Sequence, residues 1–445
     1  MKKPELLSPA GLIKNMDFAF AFAYGADAVY AGLPRYSLRV RNNDFRLPNL
    51  EAGINRAHEL GKKFFVATNI LPHTAKIKTF MADMEPIIEM KPDALIMADP
   101  GLIMMIKERW PDVPIHLSVQ ANTLNSPSVK FWQSVGIERV ILSRELSLDE
   151  IAKIREDCPD IELEVFIHGA LCIAYSGRCL LSGYFNHRDP NQGSCTNSCR
   201  WNYKVTNNDT DSSIENTGIW KPGDNQAASQ QYLLEEQGRP GEFMPIEEDE
   251  HGTYIMNSRD LRAVEHVHRL VDMGIDCLKI EGRTKSFYYT ARTAQIYRRA
   301  IDDAVSGKKF DPSLMNELEN LAHRGYTDGF FQIHAPQEMQ RYRDSSSRSQ
   351  RQLFVGEVID IDIEKNAVLI DVKNKFSIGD NLELVTPEGN ISFQLKTMTD
   401  KKGQIIECAA GSSYEVWVPL DIPVKDAGKY LLCRHLDEET ARIDS

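Results

Sequence analysis

Four of the eight cysteines fall within 28 residues, Cys172, Cys179, Cys195 and Cys199, in the spacing C-x6-C-x15-C-x3-C. Thiolates are soft ligands, and four of them match either zinc or an iron–sulfur cluster. Structural zinc prefers closely spaced cysteine pairs, a condition that only Cys195 and Cys199 meet. On an unbroken helix Cys172 and Cys179 would be separated by about 10 Å of rise, which makes convergence on one ion difficult; either Gly177 breaks the helix between them or a larger cluster absorbs the spread, and the spacing tilts slightly towards iron–sulfur. Free cysteine is also a common small core residue. That reading suits the isolated Cys158, Cys277, Cys408 and Cys433, but not Cys195 and Cys199 in the polar GSCTNSCR.

Other chemistries leave little trace. There is no HExxH, GxSxG or Walker A segment. His266 and His268 are two residues apart on an expected helix, where they point apart and make a poor metal pair. A Cys172–His168 dyad is conceivable by proximity, but it would remove Cys172 from the ligand set.

These residues need a scaffold. Apolar, β-branched runs predict strands at Glu5–Ser8, Ala28–Ala31, Phe64–Asn69, Ala94–Ala98, Ile115–Val119, Val140–Ser143, Leu163–Ile167 and Cys277–Glu281. Helical patterns separate them, among them Lys14–Tyr24, Leu50–Leu60, Lys76–Met90, Gly101–Arg109, Ser128–Val135 and Leu148–Asp157. Eight β–α alternations predict an α/β fold, a (β/α)8 TIM-like barrel. A doubly wound sheet lacks its Gly-rich fingerprint here. In such a barrel the polar residues at the C-terminal strand ends should line the active face: Asn69, Asp99, Gln120, Asn122, Arg144, Glu145, His168, Glu281 and Arg283.

The rhythm breaks in a polar, Gly/Asn/Ser-rich insertion at about 184–254, most clearly from Tyr203 onward. The barrel domain is expected over 1–340, a Ser/Arg-rich linker over 341–351, and a small all-β barrel over 352–436, where alternating residues are punctuated by turn signals. The 445-residue chain has 42% hydrophobic and 26% charged residues and a net charge of −12. That excludes a globally basic nucleic-acid coat but leaves local basic strips possible. No apolar run is long enough to span a membrane, and mean hydropathy is −0.37. Pro4 and Glu5 interrupt any signal-peptide core, so a cytoplasmic protein with reduced thiols is expected.

The stretch EVFIHGALCIAYSGRCLLSG, through Glu164, Phe166, Gly169, Ala170, Leu171, Cys172, Gly177, Cys179 and Ser182, resembles the signature of the collagenase-like peptidases, family 32 of the unknown-mechanism class. ELLSPAG, GADAVYAG and LKIEGRTKS match the same family. RYSLRVRNNDF, NHRDPNQGSCTNSCRW and DEHGTYIMNSRDL look closest to its tRNA-hydroxylating members. The resemblance implies oxygen-independent 5-hydroxylation of the wobble uridine of tRNA, with prephenate as the source of oxygen. It also implies a 4Fe-4S cluster on Cys172, Cys179, Cys195 and Cys199, and leaves any electron-donor protein unspecified. Glu164, His168, Arg144, Glu281 and Arg283 are the candidate catalytic residues. Arg144, Arg178, Arg283 and Lys285 could meet a carboxylated co-substrate, while Arg35, Arg39 and Arg41 with Tyr36, and Arg341, Arg343, Arg348 and Arg351, could meet RNA phosphates. The alternatives are a peptidase, as the family name says, or a non-catalytic RNA-binding protein with a structural metal.

Overall fold

The computed structural model describes residues 2–11, 18–33, 35–38, 47–171, 175, 178–179, 191, 259–282, 285–323, 325–332, 352–412, 414–420 and 429–436, and the backbone alone of 232–235, 243–249 and 252–254. Eight parallel strands close into a barrel: β1 (Glu5–Pro9), β2 (Ala28–Gly32), β3 (Lys63–Thr68), β4 (Ala94–Met97), β5 (Ile115–Leu117), β6 (Arg139–Ile141), β7 (Glu162–Ala170) and β12 (Cys277–Ile280). Closure comes from β12, which pairs with β1 on one side and β7 on the other. Every strand expected from the sequence is present.

Between them run α1 (Phe18–Ala23), α2 (Leu47–Glu59), α3 (Thr74–Glu89), α4 (Pro100–Arg109), α5 (Ser126–Ser134) and α6 (Leu148–Asp157). Side chains start several of them. Asp99 caps α4 ahead of Pro100, Asn125 caps α5, and Ser147 with Glu150 forms a full capping box on α6. Asp99, expected at the active face, therefore accepts the Leu102 N–H instead.

Two features depart from a plain eightfold alternation. The insertion contains a three-stranded antiparallel sheet, β8 (Tyr232–Glu235), β9 (Phe243–Asp249) and β10 (Gly252–Tyr254). After it, β11 (Asp260–Arg262) lies antiparallel against the end of β7 and carries β13 (Tyr326–Thr327). The outer layer continues with α7 (Val267–Asp272), α8 (Phe287–Val305) and α9 (Ser313–Glu319).

The C-terminal region is all β. Strands β14 (Gln352–Asp362), β15 (Ala367–Val372), β16 (Phe376–Ser377), β17 (Asn381–Val385), β18 (Ile391–Gln394), β19 (Thr399–Asp400), β20 (Cys408–Ala409), β21 (Glu415–Pro419) and β22 (Leu431–His435) form a seven-stranded antiparallel sheet and a short pair, β16–β20. Its own core includes Val355, Ile370, Phe376 and Val418. It docks on α8 and α1: Tyr288 stacks on Phe354, Gln295 donates to the Thr386 carbonyl, and Tyr24 donates to the Val385 carbonyl at 2.8 Å. Arg292, 0% exposed, faces Glu317 and Glu383 at 3.5 and 3.7 Å.

Barrel lumens are ordinarily filled with branched aliphatic side chains. Here one layer is ionic. Glu164, wholly buried, accepts from Lys279 Nζ at 2.8 Å and faces Arg139 Nη1 at 3.4 Å. Arg139 also reaches Glu5 at 2.7 Å and Glu162 at 2.7 Å, and Lys63 completes the set on Glu5 at 2.8 Å. Three carboxylates thus meet three cations. Burial works against the charged form of Glu5, yet Arg139 and Lys63 overcome it and hold its carboxyl below the ordinary range. Among the described residues no helix is long and apolar enough to cross a membrane.

A buried pair broken on one side leaves an uncompensated charge, which costs about 3–5 kcal/mol. Lys279→Met leaves Glu164 with Arg139 alone, and is accordingly expected to lower the unfolding free energy in urea at pH 7 by up to that amount. Adding Glu164→Gln should recover much of the loss, because the pair then carries no orphan charge.

Candidate active site at the barrel mouth

One level above the ionic layer the lumen turns aromatic. Lys279 Nζ lies 4.4 Å from the Tyr30 ring centroid and 5.3 Å from that of Phe166, and the Arg139 guanidinium 5.6 Å from that of Phe65. Above these rings the C-terminal strand ends become polar. Arg144, after β6, donates to Glu281, after β12, at 3.0 Å and to the Ala170 carbonyl at 3.4 Å. Its guanidinium stands 3.9 Å from the Phe166 centroid. The Glu281 backbone is fixed as well, its N–H donating to the His168 carbonyl and its carbonyl accepting from Tyr289.

Across the mouth, Asn69 donates to Ser118 at 3.1 Å, and Ser143 donates to Asn122, a left-handed residue with φ 56°. Gln120 is buried on the 3-10 turn Val119–Ala121 that follows β5. Glu145 keeps one buried carboxylate oxygen without a hydrogen-bond partner, and burial raises its carboxyl above the ordinary range. Gly169, at φ 109°, is required where it stands: a Cβ there would lie 2.3 Å from the Glu281 carbonyl oxygen.

The candidate residues separate into three places. Arg144 and Glu281 meet at the mouth. Glu164 lies deeper, in the ionic layer. His168 faces outward, for a definite reason: β7 and β12 slip register so that Lys279 pairs with Phe166 but Ile280 with His168. The extra residue, Ile167, breaks the alternation that would have put residue 168 on the same side as residues 164 and 166. The His168 ring sits in the helix layer among Tyr289, Tyr297 and Tyr326, with Nδ1 3.2 Å from the Tyr297 hydroxyl. Burial pushes its pKa down to about 3, so it is neutral at pH 7.

Of the cysteine set, Cys179 is described: a half-buried residue whose carbonyl accepts from Asn191 at 3.1 Å. The Asn191 carbonyl in turn accepts from Leu71, just beyond β3, which ties this segment to the mouth end of the barrel. Cys172, Cys195, Cys199 and Arg283 lie outside the described residues, as do Arg39, Arg41 and the linker arginines. Arg35 pairs with Asp83 at 3.2 Å, and Lys285 stands 5.3 Å from the Tyr289 ring centroid. Cys158, Cys277 and Cys433 are buried, and Cys408 is half-buried. His266 and His268 diverge, towards Asp328 and the Lys308 carbonyl respectively. The sequence reading passed over Ser118, Tyr30 and Lys279; strand alternation on β12 could have flagged Lys279, which lies two residues before Glu281.

The chain matches Peptidase family U32 over residues 14–341 and the Peptidase family U32 C-terminal domain over residues 350–434. It is 58% identical over 459 residues to tRNA hydroxylation protein P of Escherichia coli (strain K12), covering 99% of both chains. It is 56% identical to the protein of that name from Haemophilus influenzae, covering 99% of this chain and 98% of the other. A more distant relative, at 27% identity and covering 94% of this chain and 57% of the other, is the 23S rRNA 5-hydroxycytidine C2501 synthase of Escherichia coli.

A buried neutral histidine has a signature in acid. Below the unfolded value near 6.5 the unfolded chain takes up a proton that native His168 refuses, so stability is lost as pH falls from there towards about 3. His168→Phe should flatten the dependence of unfolding free energy on pH between those limits by up to about 1.4 kcal/mol per pH unit. Denaturant titrations at several pH values measure the slope.

Proposed function

Because the chain belongs to peptidase family U32, we propose that it is a tRNA hydroxylase of that family, one that forms 5-hydroxyuridine at the wobble position without molecular oxygen and takes the oxygen from prephenate. Relatives named for tRNA hydroxylation and for an rRNA 5-hydroxycytidine synthase support RNA hydroxylation as the activity. The observation that carries the reading is the placement of Arg144. It grips Glu281 across the mouth and holds the Ala170 carbonyl, two residues before Cys172.

Cys172, Cys179, Cys195 and Cys199 would hold a 4Fe-4S cluster, which supplies one-electron redox chemistry when bound. Cys179 fits that role by position, half-buried and tied through Asn191 to Leu71 at the mouth end of the barrel. Arg144, with Arg283, would receive the carboxylates of prephenate, because a guanidinium meets a carboxylate through paired donors. Glu281 would keep Arg144 oriented in the empty site and hold a proton at its Oε atoms once the co-substrate takes over the arginine. Glu164 and His168 act by position: the first fixes the charged floor below the mouth, and the second packs the end of β7 against α8. The aromatic floor of Phe166 and Tyr30 would exclude water from beneath the substrates.

Anaerobic purification with iron and sulfide quantitation tests this directly. About four of each per chain are expected, lost in Cys172→Ser, together with restoration of 5-hydroxyuridine in the tRNA of a host lacking its own enzyme by the wild type and not by the variant. Zinc, or no metal, in protein kept from air would sink the redox reading.

A further inference from the structure

The side-chain amide of Asn69 has a fixed orientation. The Leu38 backbone N–H can only donate, and it lies 3.3 Å from Asn69 Oδ1. Nδ2 must therefore face Ser118 Oγ, at 3.1 Å. The backbone N–H of Gln120 donates to the same oxygen at 3.3 Å. A serine hydroxyl has two acceptor lone pairs and one proton. Both pairs are occupied, so the only hydrogen bond left to Ser118 is one that it donates. Ser118 is 1% exposed, and that proton has no acceptor among the described residues. Gln120, 8% exposed on the adjoining turn, makes no side-chain hydrogen bond among them either, and its carboxamide reaches the surface. Buried donors left without acceptors are costly, and a polar site keeps them where a ligand supplies the missing group.

We propose that Ser118 reads the exocyclic group at C4 of the target pyrimidine, taking a carbonyl oxygen and rejecting an amino group. The inference rests on the uridine substrate proposed above and adds the device that selects it. Uracil O4 offers lone pairs to the Ser118 proton. Cytosine N4 offers only protons there, and meets an oxygen whose lone pairs are both taken. The Gln120 carboxamide supplies an acceptor for uracil N3–H and a donor for O2. A site that leaves its own polar group unpaired by the wrong base discriminates more strongly than one that only measures size.

Asn69→Asp is a near-isosteric test, because it reverses one hydrogen bond. The aspartate accepts the Ser118 proton, and a lone pair on Oγ becomes free to receive an amino hydrogen. Anticodon stem–loops carrying U or C at the target position are titrated against full-length protein purified without air, with thermal unfolding run on each variant. Wild type should favour U by roughly tenfold, the worth of one well-placed hydrogen bond. Asn69→Asp should erase or invert that ratio, and Ser118→Ala should bring it near one by weakening U alone. Folded Asn69→Asp and Ser118→Ala proteins that keep the wild-type ratio overturn the inference, as does a wild type that binds U and C equally. A wild type that binds neither loop overturns the tRNA reading and this inference with it.

Discussion

A carboxylate moved from water into a protein interior loses several kcal/mol even after the surroundings relax, and Glu164 sits at the centre of the barrel with no exposure at all. Everything around it answers that cost. Lys279 arrives from β12, the closing strand, and Arg139 from β6 on the other side of β7, so the two flanking neighbours of β7 are held to it by charge as well as by backbone pairing. Arg139 then needs Glu5 and Glu162, and Glu5 needs Lys63. Charge balance thus joins β1, β3, β6, β7 and β12 into one ring. The aromatic layer above it makes use of the same cations, as rings stack against the lysine and arginine that the carboxylates hold in place.

This layering separates support from chemistry along a single strand. On β7, Glu164 belongs to the floor, Phe166 lies beneath the arginine of the mouth, and His168 is turned out into the helix layer by the bulge. Gly169 then passes so close to Glu281 that no side chain fits. The signature stretch of the sequence therefore concentrates a structural ion, a platform, a bulge and a close approach in six residues before the first cysteine of the set is reached.

The barrel was legible because its strands are short runs of apolar, β-branched residues and its helices carry amphipathic stripes with side-chain caps. Arg144 and Glu281 were legible as polar residues at strand ends. His168 was also read at the mouth, since strand alternation from Glu164 and Phe166 leads there; a one-residue bulge has no composition of its own to announce it. Asp99 looked like a mouth residue for the same positional reason and is used as a helix cap. Ser118 could not be found from its type, because its directional chemistry is conferred by Asn69 and by a backbone N–H. The antiparallel β11 was hidden by the polar insertion before it.

Helix α8 serves both halves of the molecule, with Tyr289 and Tyr297 on the barrel and Phe287, Tyr288 and Arg292 turned to the β domain. The ionic floor beneath it has a consequence for how the protein meets dissolved electrolyte. Counterions screen charges that water can reach, over about 8 Å at physiological strength, and have no access to a wholly buried carboxylate between a lysine and an arginine. Added salt should leave the barrel's cohesion almost untouched while weakening any grip on a phosphodiester chain in proportion to the phosphates it neutralises. Ionic strength is thus a dial that turns recognition down without loosening the frame.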